Sequence, residues 1–216
     1  MQLIDLSLPI ESDMPHFDGT PPVYVAHSHR LPEAGFRMCT VVLGNHAGTH
    51  LDAPAHFLTN GRTVDEVPLE RCVGDATVID LSYKRPRDPI TVADLRDAGL
   101  TAVEGCRVLL RTDWDLRFGE PDYFVDYPPL APEAAEWLAE GGAWLVGLDI
   151  PSLHQEHFKN MHEVMLAADI AIIESLANLR SLTQREVFFS ALPLRLSGAD
   201  GAPVRAVAYD GTLGTT

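Results

Sequence analysis

The chain has 216 residues, 46% of them hydrophobic and 22% charged, which excludes a disordered chain and suits one globular domain spanning 1–216 with a full apolar core. Its 31 acidic against 16 basic residues give a formal net charge of -15, a balance that repels phosphate backbones and anionic lipid, so neither nucleic acid nor a membrane is an expected partner. Three cysteines in no paired spacing argue against a disulfide framework and for a reducing compartment. Cys39, Cys72 and Cys106 have apolar neighbours and are expected to be core residues. The N-terminus lacks the basic and apolar regions of a signal peptide, and no run approaches the roughly 20 apolar residues of a membrane span, so a cytoplasmic location is expected.

Residues 2–9 alternate in the manner of a short strand ending at Pro9. Residues 14–22 form a Pro- and Gly-rich loop carrying Phe17, expected to serve as a connection more than as a site cover. A strand is predicted over 38–43, a short helix over 63–73 and a strand over 76–81. Thr91, three residues before Asp94, signals a helix start. A buried strand at 106–112 leads into an irregular stretch at 113–129, where Trp114 suits either a pocket wall or the core. Residues 132–141 read as a helix stopped by Gly141-Gly142, and 143–148 as a buried strand. A strand over 170–174 is expected to pass into a helix ending at Leu179, and strands over 187–196 and 203–209 are expected to be joined by a turn at 197–201. Strands alternating with helices make the fold class α/β, with a mixed β-sheet core and flanking helices.

The chemistry concentrates in Asn45 to Phe57, where His46, His50, Asp52 and His56 fall within eleven residues, from 46 to 56. A helix would put His46 and His50 on one face, but Gly48, Thr49 and Pro54 oppose a helix. In an extended chain His50 and Asp52 point the same way, and the Gly-containing turn can fold His46 back to the same point. Imidazoles with a carboxylate and no cysteine suit a divalent ion such as zinc or manganese. Histidines satisfied at a sheet edge are the alternative for any one of them, but gathering all four groups without a cation would leave repulsion and unpaired acceptors. Further ligands are expected between Asp149 and Glu174, a stretch holding His154, His157 and His162. Glu174 stands within the apolar run 170–176, where an unpaired carboxylate is costly, so it reads as a ligand.

The pattern His46-x-Gly48-Thr49-His50-x-Asp52-x-Pro54-x-His56-Phe57 resembles the signature of the cyclase-family metal hydrolases, a group that includes bacterial kynurenine formamidases and isatin hydrolases. The resemblance extends to Ile4-Asp5-Leu6-Ser7, to Gly147-Leu148-Asp149-Ile150-Pro151-Ser152, and to 191–196 with 203–206. It implies a swivelling β/β/α domain with two divalent metal ions, zinc ahead of manganese. It also implies that His46, His50 and Asp52 hold one ion, that His162 and Glu174 complete the second, with Asp52 and Glu174 bridging, and that His56 gives and takes protons. The activity implied is hydrolysis of N-formylkynurenine, a small-molecule aryl formamide, by a metal-activated water. Opening of a cyclic amide is the alternative, and a non-catalytic metal-binding protein of this fold is a third reading. The resemblance further implies a homodimer or higher homo-oligomer and places Phe17 near the position of a substrate-stacking tryptophan. It gives His154 and His157 no role, and both are expected to be solvated.

Overall fold

The apolar strands predicted near 106–112, 143–148 and 170–174 set the architecture, because a strand apolar on both faces is stable only when both faces are covered. In a computed structural model describing residues 2–211, the elements follow in chain order. They are β1 (Leu3–Asp5), β2 (Tyr24–His29), β3 (Met38–Val42), β4 (His50–Asp52), α1 (Leu69–Cys72), β5 (Val73–Asp80), α2 (Val92–Asp97) and β6 (Arg107–Arg111). The chain continues through α3 (Pro132–Glu140), β7 (Leu145–Leu148), α4 (Phe158–Ala167), β8 (Ala171–Glu174), β9 (Glu186–Ser190), β10 (Gly201–Pro203) and β11 (Val207–Tyr209).

Nine strands form one mixed sheet in the order β1-β11-β9-β5-β6-β7-β8-β4-β10. Its centre, β5 to β8, is parallel, and α2, α3 and α4 are the crossovers between successive parallel strands. Alternation along the central strands divides the core in two. Val108, Leu110, Val146, Leu148 and Ile172 face the helices, where Leu95, Leu138 and Met165 cover them. Leu109, Leu145 and Ile173 point to the other side and meet Leu51, Phe189, Ala202 and Ala208 from the outer strands, so the sheet curls over its own second face. The α/β expectation with a mixed sheet and flanking helices is met.

Several elements differ from their sequence reading for identifiable reasons. Pro68 interrupts the helix expected over 63–73, leaving a single turn at Val64–Glu66 and the short α1. The expected 203–209 strand is two strands serving different parts of the sheet: β10 pairs with β4, while β11 lies between β1 and β9. The strand expected over 187–196 ends at Ser190. The helix expected to end at Leu179 does not form, because Ser175 and Asn178 adopt left-handed backbone angles, φ 57° and φ 58°, and only a single 3-10 turn follows at Leu179–Ser181. Neither β2 nor α4 is apparent in the sequence reading. Strand β3 pairs only with β2 in a separate, solvent-exposed two-stranded sheet, so Cys39 is exposed, contrary to its expected burial; Cys72 is buried and Cys106 partly so. Trp114 belongs to the core, its indole N–H donating to the Tyr123 carbonyl at 2.9 Å. Among the described residues no helix is long and apolar enough to cross a membrane.

Candidate active site

The short strand β4 carries the site. Its period of two buries Leu51 in the core behind the sheet and presents His50 and Asp52 together on the opposite face. Antiparallel register with β8 sets His50 opposite Glu174, the last residue of that strand. The turn before β4 depends on Gly48, at φ 62°, whose carbonyl accepts from His50 Nδ1 at 2.8 Å. Thr49 locks the junction: its hydroxyl donates to the Ser175 carbonyl at 2.5 Å and accepts from the Leu8 N–H at 2.9 Å. His162 arrives from α4, its Nδ1 donating to the Phe158 carbonyl at 2.7 Å, and Phe57 stacks on its ring at 4.6 Å.

These backbone contacts fix the ring orientations. With Nδ1–H spent on a carbonyl, His50 and His162 each turn Nε2 toward the carboxylates. His50 Nε2 lies 3.4 Å from Asp52 Oδ1 and 3.5 Å from Glu174 Oε2. His162 Nε2 lies 3.4 Å from Asp52 Oδ2 and 3.2 Å from Glu174 Oε1. Charge-assisted hydrogen bonds are shorter, about 2.7–2.9 Å. Two ligands each about 2.0–2.2 Å from one ion at a tetrahedral angle stand roughly 3.4 Å apart. Asp52 Oδ2 is buried without a hydrogen-bond partner, and all four side chains are buried. Leaving a buried ion uncompensated costs several kcal/mol, so the donor set fits a divalent cation held among two imidazoles and two carboxylates.

A second pair of imidazoles forms an outer layer. His46 Nδ1 lies 2.7 Å from Asp52 Oδ1 and its Nε2 3.0 Å from Asp200 Oδ2, so the glycine turn does fold His46 back to Asp52. His56 Nδ1 lies 2.8 Å from the same Asp200 oxygen, and the His46 and His56 rings stack at 4.0 Å. Asp200 therefore joins the site, although its place in the turn Ser197-Gly198-Ala199-Asp200-Gly201 reads as ordinary turn chemistry. Two signals point to it in the structure: the Asn45 amide donates to its other oxygen at 2.6 Å, and a Cβ on Gly201 would stand 2.6 Å from His46 Cε1.

The electrostatics agree with a cation-seeking site. Burial pushes the His46 imidazole down, but Asp52 and Asp200 outweigh it and lift it to about 9. For His162, burial is likewise outweighed by Asp52 and Glu174, raising it to about 10. Burial would raise the Asp52 carboxyl, yet the surrounding histidines hold it well below the usual carboxylate range. Possible ligand atoms of His46, Asp52 and His56 fall within 4.8 Å of one another, as do those of His50, Asp52 and Glu174, so Asp52 is common to both groups. Asp149 is not part of this cluster; its buried carboxylate accepts from the Thr112 and Asp113 amides and ties the ends of β6 and β7 together.

The cluster opens into a cavity of about 250 Å³ with aromatic walls, including Phe17, Phe57, Phe118, Phe124 and Tyr127. Phe17 meets Phe124 edge to face at 6.0 Å, so the loop at 14–22 covers the site as well as connecting β1 to β2. His154 is partly buried and lines the same cavity, which corrects its expected solvation, whereas His157 is exposed.

A family model described as Putative cyclase matches residues 4–155. The chain is 34% identical to a kynurenine formamidase of Bacillus cytotoxicus over 208 residues, covering 94% of this chain and 95% of that one. It is 33% identical to the kynurenine formamidase of Sphingopyxis alaskensis over 211 residues, with shares of 94% and 95%. Among solved structures, isatin hydrolase A from Ralstonia solanacearum superposes with a TM-score of 0.86 at 28% identity, covering 96% of this chain and 91% of that one. A potential metal-dependent hydrolase with cyclase activity gives 0.80 at 28% identity, with shares of 97% and 98%. By motif, fold and sequence, the chain belongs to the cyclase family.

Proposed function

We propose that this protein is a metal-dependent amide hydrolase, an arylformamidase that converts N-formylkynurenine to kynurenine and formate. The observation that carries the reading is the facing of two buried imidazole Nε2 atoms and two buried carboxylates at 3.2–3.5 Å, at the base of an aromatic cavity. His46, His50 and Asp52 would hold one ion; His162 and Glu174 would complete a second, with Asp52 and Glu174 bridging the two. Zinc is the first choice and manganese the second. The ions would supply Lewis acidity toward the scissile carbonyl and lower the pKa of a water from its bulk value to about 7.

The remaining steps belong to the chain. Asp200 engages His56 Nδ1 at 2.8 Å, which holds the proton on that nitrogen and leaves Nε2 free to exchange protons. His56 takes a proton from the attacking water and delivers it to the departing aryl nitrogen as the C–N bond breaks; the oxygen ends in formate. Phe17, with the other aromatic walls, provides the surface on which an aryl ring stacks. His56 also favours an enzyme over a purely metal-binding protein, where a proton carrier at the cavity edge would serve no purpose.

Opening of a cyclic amide is the second reading, supported by the isatin hydrolase likeness. Assay of the metal-replete protein on N-formylkynurenine and on isatin separates the two, and turnover of the formamide with little on isatin is expected. We further propose that residues 1–216 act as one domain, in the cytoplasm, as a homodimer. The dimer is supported by the separate β2–β3 sheet, whose Tyr24, Met38, Val41 and Val42 are large, hydrophobic and exposed.

A further inference from the structure

The cavity wall opposite in chemistry to the ligand cluster is built by the segment between β7 and α4, which contributes Pro151, Ser152, His154 and Phe158. Of these, only His154 carries an imidazole, and its environment dictates which nitrogen bears hydrogen. Its Nδ1 accepts from two backbone amides, Glu156 N–H at 3.0 Å and His157 N–H at 3.2 Å. An acceptor nitrogen in a neutral imidazole requires the proton on the other, so the ring presents Nε2–H. His154 lines the cavity with Nδ1 engaged by its own loop, and no hydrogen bond to its Nε2 is found among the described residues. Burial, reinforced by His157, depresses the His154 pKa, which favours the uncharged ring.

The rest of the lining determines what such a donor suits. No lysine or arginine is among the described residues lining the cavity, so an anionic substrate group would find no permanent countercharge there from this chain. A neutral N–H donor beside aromatic walls matches a carbonyl oxygen carried on an aryl ring. We propose that His154 is a specificity-determining residue whose Nε2–H binds a carbonyl standing ortho to the scissile amide nitrogen. This rests on the amide-hydrolase reading above and deepens it by naming what the site recognises besides the amide: an aryl amide with a neighbouring ketone is preferred over a plain anilide.

The test compares 2′-formamidoacetophenone, which has the ortho carbonyl, with formanilide, which lacks it, on the zinc-loaded enzyme and on His154→Phe and His154→Gln. In His154→Phe the ratio of kcat/KM between the two substrates is expected to fall about tenfold toward formanilide, mostly through KM, because the hydrogen bond is made equally in ground and transition states. His154→Gln, which retains an N–H donor, is expected to recover most of the ratio, an effect a merely structural role would not produce. A ratio unaltered in His154→Phe, or equally lowered in both variants, overturns the assignment. Should the wild-type enzyme hydrolyse neither formamide, the proposed function fails, and the ratio of Kd values for 2-aminoacetophenone and aniline on the same variants decides separately whether His154 reads the carbonyl.

Discussion

The site contains two pairs of histidines in contrasting settings. His50 and His162 are buried, anchor Nδ1 on backbone carbonyls and direct Nε2 at two carboxylates. His46 and His56 are more exposed, stack on one another and share Asp200, a carboxylate on a turn at the rim. A carbonyl anchor fixes a ring as a rigid ligand, whereas a carboxylate partner stabilises the charged ring as well as the neutral one, which suits proton transfer. On the proposed reading, the deep pair His50 and His162 would serve only to hold cations, whereas His56 at the rim would move a proton. His46 spans both layers, since its two nitrogens face Asp52 and Asp200.

The largest break in this contrast is Asp52→Ala. It removes the carboxylate common to both groups, and both bound metal and turnover are expected to disappear, with kcat/KM down by 10³-fold or more, measured by elemental analysis and assay together. His56→Ala is expected to retain its metal while kcat falls by about 10²- to 10⁴-fold, the usual worth of a positioned proton carrier; full activity in this variant would remove His56 from the mechanism. Asp200→Asn is expected to cost roughly 10- to 100-fold in kcat with metal retained by the inner pair, because it loosens His56 and His46 and leaves His50 and His162 untouched.

Metal removal sharpens the comparison through pH. In the metal-free protein His46 and His162 have folded pKa values raised to about 9 and about 10 from a reference of 6.5. A raised value stabilises the fold fully below the unfolded pKa, and that stabilisation is lost as pH rises through the folded values. The metal-free Tm is therefore expected to decline between about pH 6.5 and 10, relative to protein in which an ion replaces those protons. Thermal unfolding with and without chelator across this range checks the sign. The smallest effect expected is for Phe17→Ala, a rise of a few-fold in KM from the loss of one exposed aromatic wall.

How far each feature was legible follows from how local its cause is. The placement of His50 and Asp52 on one face needs only the period of an extended chain, and Glu174 announces itself as a carboxylate in an apolar run. The central strands are likewise local signals. Asp200 is not, because its role arises only when β10 pairs with β4 and brings the 197–201 turn over His46. His154 looked like a surface residue because nothing in its neighbours reveals that the loop after β7 closes one wall of the cavity. Helix α4 is not legible from its neighbours because its apolar face, Met161, Met165 and Leu166, is interrupted by His162 and Glu163. Pro68 breaks the helical pattern over 63–73 because its ring cannot continue the backbone ladder.

The central claim is that His50, Asp52, His162 and Glu174 are ligands of the divalent metal centre. Anomalous diffraction at the zinc edge from crystals of the zinc-loaded protein tests it directly. The account predicts a strong peak among the two Nε2 atoms and the carboxylate oxygens of Asp52 and Glu174, at ligand distances of about 2.0–2.2 Å. Zinc-loaded crystals with no anomalous density there, and the four side chains bonded only to one another, would contradict it.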